Sequence, residues 1–150
     1  MTRSELEIII KKRAAIVVTA LAALLAVNGY YGGSNSSKIL SNVIAANNQW
    51  AWYQAKNVRS VIYETSNRPD DAKRMKADME EISIKAKALE AEREKAQARS
   101  PFFTYAGIGL QLGIVLSTAA ILAVLMPLFW ASVGVGSIGA LLFFFAMFGA

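Results

Sequence analysis

Uncharged apolar residues occupy both flanks of this 150-residue chain, and most of its charged residues lie between them. All 27 charged side chains fall within residues 3–13 and 38–99. A run of about 18 or more uncharged apolar residues is long enough to cross the hydrocarbon core of a bilayer as a helix. We therefore predict membrane-spanning helices in both flanks and a water-exposed segment in the middle.

Three segments have the length and composition of membrane spans. The first begins at Ala14 and ends near Gly33, the second covers residues 102–126, and the third covers residues 133–150. A cleavable signal peptide is the alternative for the first segment, because a basic cluster precedes its apolar run.

Proline and small polar residues predict where the second and third spans begin and end. Ser100-Pro101 suits the N-cap and first position of the second span, since proline lacks the N–H that the first helical turn leaves unpaired. Pro127 is predicted to end that span, and residues 128–132 to form a tight turn at the membrane surface with Trp130 at the interface.

The middle segment predicts two helices joined by a break at residues 67–71, with Pro69 in the first turn of the second helix. In the first of them, apolar residues recur at helical spacing and predict the face that packs on the second: Ile39, Leu40, Val43, Ile44, Trp50, Val58, Val61 and Ile62. The second carries two series at seven-residue spacing, offset by three: Met75, Ile82, Leu89 and Ala96, and Ala72, Met79, Ala86 and Arg93. Such a repeat is typical of a coiled coil.

The predicted fold is an all-α membrane protein with three transmembrane helices and an antiparallel coiled-coil helical hairpin between the first and the second. Its predicted parts are residues 1–33, the N-terminal segment with the first span; residues 34–100, the soluble hairpin; and residues 101–150, the second and third spans.

The distribution of basic residues gives two conflicting orientations. Lys11, Lys12 and Arg13 precede the first span and place the N-terminus in the cytoplasm, whereas Arg93, Lys95 and Arg99 before the second span would place the hairpin there. We favour the first cluster, because its span inserts first and the rule weakens for a loop longer than about 60 residues. The hairpin is then extracytoplasmic.

The composition removes most routes to catalysis. With no Cys and no His, the chain has no thiolate nucleophile, imidazole base or ordinary zinc site. Its carboxylates alternate with lysines along a solvated helix, and no phosphate-binding loop is present, so we predict no enzymatic activity, no cofactor and no metal. The chain has a net charge of +5, and most of its basic residues lie between membrane spans, which favours lipid headgroups over nucleic acid as the anionic partner.

Residues 47–64 carry the motif NNQWAWYQAKNVRSVIYE. This stretch resembles an uncharacterised bacterial membrane family, domain of unknown function 4337 (DUF4337), through "NQWA-aromatic-YQAK" and "IYE". The resemblance implies the same order of one span, a charged helical hairpin and two closing spans. It also implies a multi-pass protein of the bacterial inner membrane, and it implies no activity.

The same motif supplies a candidate contact surface. At about 100° per residue, Trp52 and Tyr63 fall on one side of the helix beside Lys56 and Arg59. Exposed aromatics next to cations are typical of protein interfaces and suit cation–π contacts. The alternative is a locally packed pair that long side chains cover.

Small residues spaced four apart predict close helix packing in the spans. Gly109 and Gly113 form such a pair in the second span, and Gly136 is central to a series in the third. Gln111 is an amide within apolar sequence, so it is predicted to hydrogen bond to another helix.

Two functions follow from these features. The first is a non-enzymatic membrane scaffold or accessory subunit, which self-associates or docks on a larger membrane complex through its hairpin. The alternative is a passive homo-oligomeric channel, with Gln111, Ser117 and Thr118 facing a common axis.

Overall fold

A computed structural model describes residues 2–150, and this part of the chain contains three α-helices and no strand. Helix α1 is Arg3–Thr65, α2 is Pro69–Ala123 and α3 is Met126–Phe148. The all-α prediction is therefore confirmed. The chain divides into two compact units: the first unit comprises Met1–Asn35 with Ala98–Ala150, and the second unit comprises Ser36–Gln97.

The first unit is a three-helix bundle with a core at each of two levels. One cluster combines Ile10 and Ala14 of α1 with Ala120 and Phe129. The other is built from α2 and α3, where Phe103 and Ala106 pack against Phe143 and Ala146. Alanines form half of each buried cluster, so the helices approach one another more closely than large side chains would permit.

The second unit contains two helical segments whose cross-helix contacts run in antiparallel order. Lys38 contacts Glu92 near one end, whereas Glu64 contacts Lys76 near the other. The turn between them has Asn67 at a φ of 58°, a left-handed conformation that asparagine tolerates better than most residues. Pro69 begins α2, as the sequence predicted.

Two of the predicted helix breaks are wrong. Helix α1 continues through Gly32 and Gly33, and α2 continues through Ser100 and Pro101. An interior proline removes a backbone hydrogen bond and costs about 3 kcal/mol. The helix nevertheless continues, and the residue after Pro101 packs on α3: the rings of Phe102 and Phe145 lie 4.8 Å apart, centroid to centroid.

The junction between α2 and α3 lies earlier than predicted. Helix α2 ends at Ala123, Val124 has a φ of 55°, and Pro127 lies in the first turn of α3 instead of ending α2. The predicted turn over residues 128–132 is therefore helical. Ser132 is buried, and its hydroxyl group pairs with Ser117 across the two helices, which the predicted surface turn would not allow.

Helices α2 and α3 are long and apolar enough to cross a membrane. The mean hydropathy of the most apolar 18-residue stretch is 1.9 in α2 and 2.0 in α3. This property rests on length and composition alone. It is consistent with the predicted apolar C-terminal flank.

Candidate docking surface

The second helix of the predicted hairpin buries the face that its seven-residue repeat indicated. All eight residues of the two series are buried or half-buried: Ala72, Met75, Met79, Ile82, Ala86, Leu89, Arg93 and Ala96. Arg93, the one charged member, has its Nε atom buried with no hydrogen-bond partner among the described residues.

The inward face of α1 in the second unit is more polar than predicted. Buried and half-buried positions recur there every three or four residues: Ile39, Asn42, Ala46, Gln49, Tyr53, Lys56, Ser60 and Tyr63. Several inward side chains pair with carboxylates of α2. The Trp50 indole donates a hydrogen bond of 2.8 Å to Glu90, and the Lys56 ammonium lies 2.6 Å from Asp78. The inward face of α1 therefore includes polar side chains whose partners lie on α2.

The prediction that the apolar face of α1 packs on α2 is therefore wrong for most of its eight residues. Five of the eight predicted residues lie outward, with 52 to 61% of their surface exposed: Leu40, Ile44, Val58, Val61 and Ile62. The remaining three, Ile39, Val43 and Trp50, are half-buried.

Outward positions on α1 form a second narrow line of apolar residues. We call this line the outer stripe: Leu40, Ile44, Ala51, Ala55, Val58 and Ile62, all of which are exposed. At about 100° per residue, these six lie within about 60° of the helix circumference, on the side opposite the buried face. Residues 39–55 contain no charged side chain at all. A contiguous apolar patch of this kind marks an interaction site more often than scattered exposed residues do.

The four residues predicted to contact a partner do not form one cluster. Trp52, with 66% of its surface exposed, lines a shallow depression together with Lys56 and Arg59. Lys56 is half-buried and paired with Asp78, so its charge is already compensated within the unit. Trp52 and Arg59 therefore form the accessible part of the predicted surface, at one edge of the outer stripe.

Tyr63 lies apart from this depression and has a different cationic neighbour. The guanidinium carbon of Arg68 lies 5.0 Å from the centroid of the Tyr63 ring, within cation–π range. Arg68 also pairs with Asp71. The interaction expected from Lys56 and Arg59 is thus supplied from the turn between α1 and α2, where it helps to fix the start of α2.

In the first unit, the glycines predicted to pack helices lie where backbones meet. A Cβ atom added at Gly109 would lie 2.9 Å from the Cα atom of Gly139, and one at Gly113 would lie 3.0 Å from the Cα atom of Gly136. The Leu21 side chain of α1 reaches the same level, 2.8 Å from a Cβ atom at Gly136. Only hydrogen atoms fit at these positions, so any side chain would separate the helices.

Gln111 differs from its prediction. Its side chain is exposed, and no hydrogen bond joins it to another described residue. The polar contacts inside the first unit come from other residues, including Ser117, which the channel hypothesis had placed toward a pore. Asn28, 6% exposed, donates a hydrogen bond of 3.1 Å to the Phe103 carbonyl, and the buried hydroxyl groups of Ser117 and Ser132 lie 2.8 Å apart.

The ionisable groups form surface pairs. Among the described residues, no three carboxylates are grouped as a metal site would require. Hydrogen bonds from Lys38 and then Lys95 hold the pKa of the Glu92 carboxyl below its ordinary value. This carboxylate is solvated, so the arrangement offers an ion pair and no activated acid or base.

Comparison with known proteins gives the family. No curated protein and no solved structure matches the chain. One family model matches residues 10–69 and again residues 65–149, so that the two matches together cover nearly the whole chain. This match confirms the resemblance carried by residues 47–64. The chain belongs to the family described as domain of unknown function (DUF4337).

Proposed function

We propose that this protein is a non-enzymatic integral membrane scaffold or accessory subunit, which self-associates or docks on a larger membrane complex. The observation that carries the proposal is the outer stripe of the second unit. It displays six exposed apolar residues along a stretch of α1 in which residues 39–55 lack any charge. Leaving such a face in water is unfavourable by about 25 cal/mol per Å² of apolar surface, so contact with a partner stabilises it.

A membrane location with three spans supports this role. In addition to α2 and α3, we propose that residues 14–33 of α1 form a span, because no charged residue lies between Arg13 and Lys38. Within the first unit, Leu21 from this segment fills the space beside Gly113 and Gly136. Asn28 adds a hydrogen bond to the Phe103 carbonyl at a second level.

We further propose that the protein is a multi-pass protein of the bacterial inner membrane, with a cytoplasmic N-terminus and residues 34–100 extracytoplasmic. The dense cluster Lys11-Lys12-Arg13 supports this orientation. A Ser66→Cys variant tests it, because the natural chain has no cysteine and Ser66 lies exposed in the turn before α2. A membrane-impermeant maleimide should label intact cells; labelling only after lysis contradicts this orientation.

The channel hypothesis has less support. It needs Gln111, Ser117 and Thr118 on a common axis, but Ser117 is fully buried and its hydroxyl group pairs with Ser132. A side chain held inside its own bundle does not line a pore between copies. Gln111 and Thr118 remain exposed, and they suit contact between helices as well as contact with water.

The test of the scaffold role is the mass of the particle extracted from native membranes in mild detergent. We expect a mass well above that of one chain, 16.3 kDa, either from further copies or from a copurified protein. A double variant, Ile44→Glu with Val58→Glu, should reduce this mass, because both substitutions place a charge inside the proposed contact at the outer stripe. Ile84→Glu on α2 is the matched control, since Ile84 is also mostly exposed, at 62%. A monomer without partners would contradict the proposal.

A further inference from the structure

We infer that the outer stripe of α1 is the contact between two copies of this chain, which pair there side by side and in parallel. The inference rests on the proposed function, which includes self-association. Two copies that pair in parallel about a two-fold axis would bring each residue of the stripe opposite its own equivalent.

The charge pattern favours a second copy as the occupant. The stripe has no charged member. Of the cations near it, Lys38 pairs with Glu92, Lys56 pairs with Asp78, and Arg59 lies at its edge. The six stripe residues of two copies therefore meet without like-charge repulsion, whereas a charged partner would find no counter-charge on the stripe.

The sizes of the side chains suit a parallel pair. Ile44, Ala51 and Val58 lie seven residues apart, which is the spacing of one core position in a coiled coil. The two alanines, Ala51 and Ala55, are at the middle, where they allow the helices to approach. The branched residues on either side of them would fill the space as the helices diverge.

Asn47 distinguishes the parallel arrangement from the antiparallel one. It is exposed and lies at the edge of the stripe, about 20° around the helix from Leu40 and Val58. In a parallel pair, Asn47 meets Asn47 of the second copy, and each amide can both donate and accept a hydrogen bond. A single buried asparagine of this kind fixes register in parallel coiled coils. An antiparallel pair centred on Ala51 would instead place Asn47 opposite Ala55, where its amide would have no partner.

A lipid surface fits the stripe less well. Helices that lie in the membrane interface carry many Lys and Arg residues beside their apolar face. The outer stripe is bordered mainly by the amides Asn47, Asn48 and Gln54, and Arg59 is the cation at its edge. The surroundings are therefore those of a protein contact.

Single-cysteine variants test the inference, since the chain contains no cysteine of its own. Ala51→Cys and Leu40→Cys would be made in the full chain, embedded in native membranes and oxidised briefly with a copper catalyst. In a parallel pair each cysteine faces itself, so both variants should form disulfide-linked dimers. Ala77→Cys and Ala88→Cys are matched controls, because both alanines are exposed on α2 of the same unit. They should give several-fold less dimer.

The possible results separate the alternatives. A dimer from Ala51→Cys but not from Leu40→Cys overturns the parallel arrangement and indicates an antiparallel one. Equal dimer from stripe and control positions overturns the inference, as random collision would produce it. No dimer at either stripe position, together with a detergent particle heavier than one chain, overturns pairing at the stripe while the scaffold role stands. A monomeric particle removes the scaffold role itself.

An environment-sensitive fluorophore on Ala51→Cys tests the lipid alternative. In liposomes, the expected blue shift of its emission should disappear when the labelled protein is diluted to one copy per vesicle. A blue shift that survives this dilution indicates burial in lipid and overturns the inference.

Discussion

The two units of this protein hold their helices together in different ways. In the first unit, α2 and α3 meet backbone to backbone, with the Cα atom of Gly139 only 2.9 Å from where a Cβ atom of Gly109 would be. The second unit has no glycine, and there α1 and α2 meet through side chains: Ile82, Ser60 and alanines such as Ala86 are buried, and ion pairs such as Lys56–Asp78 join the helices at the edges.

This difference in packing corresponds to the solvent, lipid or water, to which the sequence of each unit is suited. Lipid tails are as apolar as leucine, so burial gives no hydrophobic gain between helices in a bilayer, and close packing of small residues takes its place. In water, burial of apolar surface drives association, and charged residues at the edges keep the helices soluble. Of the eight ion pairs between described residues, seven lie in the second unit and one, Lys11–Glu7, lies in the first. The contact type therefore changes with the charge content of the sequence.

The greatest loss of stability is expected when a buried side chain of the second unit is shortened. Ile82→Ala should destabilise this unit by about 2 kcal/mol or more, because it leaves a cavity at a residue only 8% exposed. Ile84→Ala, at a position 62% exposed on the same helix, is the control and should change stability little. Denaturant unfolding followed by circular dichroism measures both. Equal effects would mean that α1 does not cover Ile82.

A somewhat smaller loss of stability is expected when a side chain is added where α2 and α3 are in backbone contact in the first unit. Gly139→Ala should destabilise the bundle by about 1–3 kcal/mol, because its Cβ atom would lie 2.7 Å from the Leu110 nitrogen. Gly134→Ala lies in the same helix, with no atom within 4 Å of the added Cβ, and should be neutral or stabilising by up to about 1 kcal/mol. Thermal unfolding in detergent compares them. A tolerated Gly139→Ala would show that α2 and α3 are not in backbone contact.

A smaller effect is expected at the hydroxyl pair between α2 and α3. Ser117→Ala, Ser132→Ala and the double variant form a cycle whose coupling energy should be about 0.6 kcal/mol, a typical value for polar contacts between membrane helices. The cycle is needed because Ser132 also donates to the Phe129 carbonyl, which a single variant would perturb as well. Additive changes would indicate that the two hydroxyl groups do not interact.

The smallest effect is expected at an edge ion pair of the second unit. Lys38→Ala should raise the pKa of Glu92 toward its ordinary value, because the Lys38 hydrogen bond is the main cause that lowers it. A carboxyl whose pKa is lower folded than unfolded stabilises the fold above the unfolded pKa, and this contribution is lost as pH falls through the folded pKa. Carboxyl ¹³C NMR titration measures the shift, with Lys73→Ala as control. An unchanged Glu92 pKa would show that the pair does not form.

The sequence predicted those parts of the fold that depend on local periodicity. The seven-residue repeat of α2 indicated its buried face, including Arg93, and Pro69 indicated where α2 begins. Each is a property of one helix or of its first turn.

The predictions that were wrong concern which surfaces of the helices pack against each other. Leu40 and Ile44 have the spacing of a buried face, but α1 turns a more polar face with Asn42 and Gln49 toward α2. The hydrogen bonds of Asn28 and Ser132 were not predicted, because a lone polar residue in apolar sequence does not indicate its partner. Both residues became meaningful only when Phe103 and Ser117 were found beside them.

Composition and periodicity along the chain are enough to establish that the protein is helical, that its flanks are apolar and that most of its charges lie in the middle. Each of these features depends on residues close together in the sequence. Which face of α1 is covered, and which glycines meet, became known from the packed helices, because burial depends on two surfaces and the pattern along one helix describes only its own.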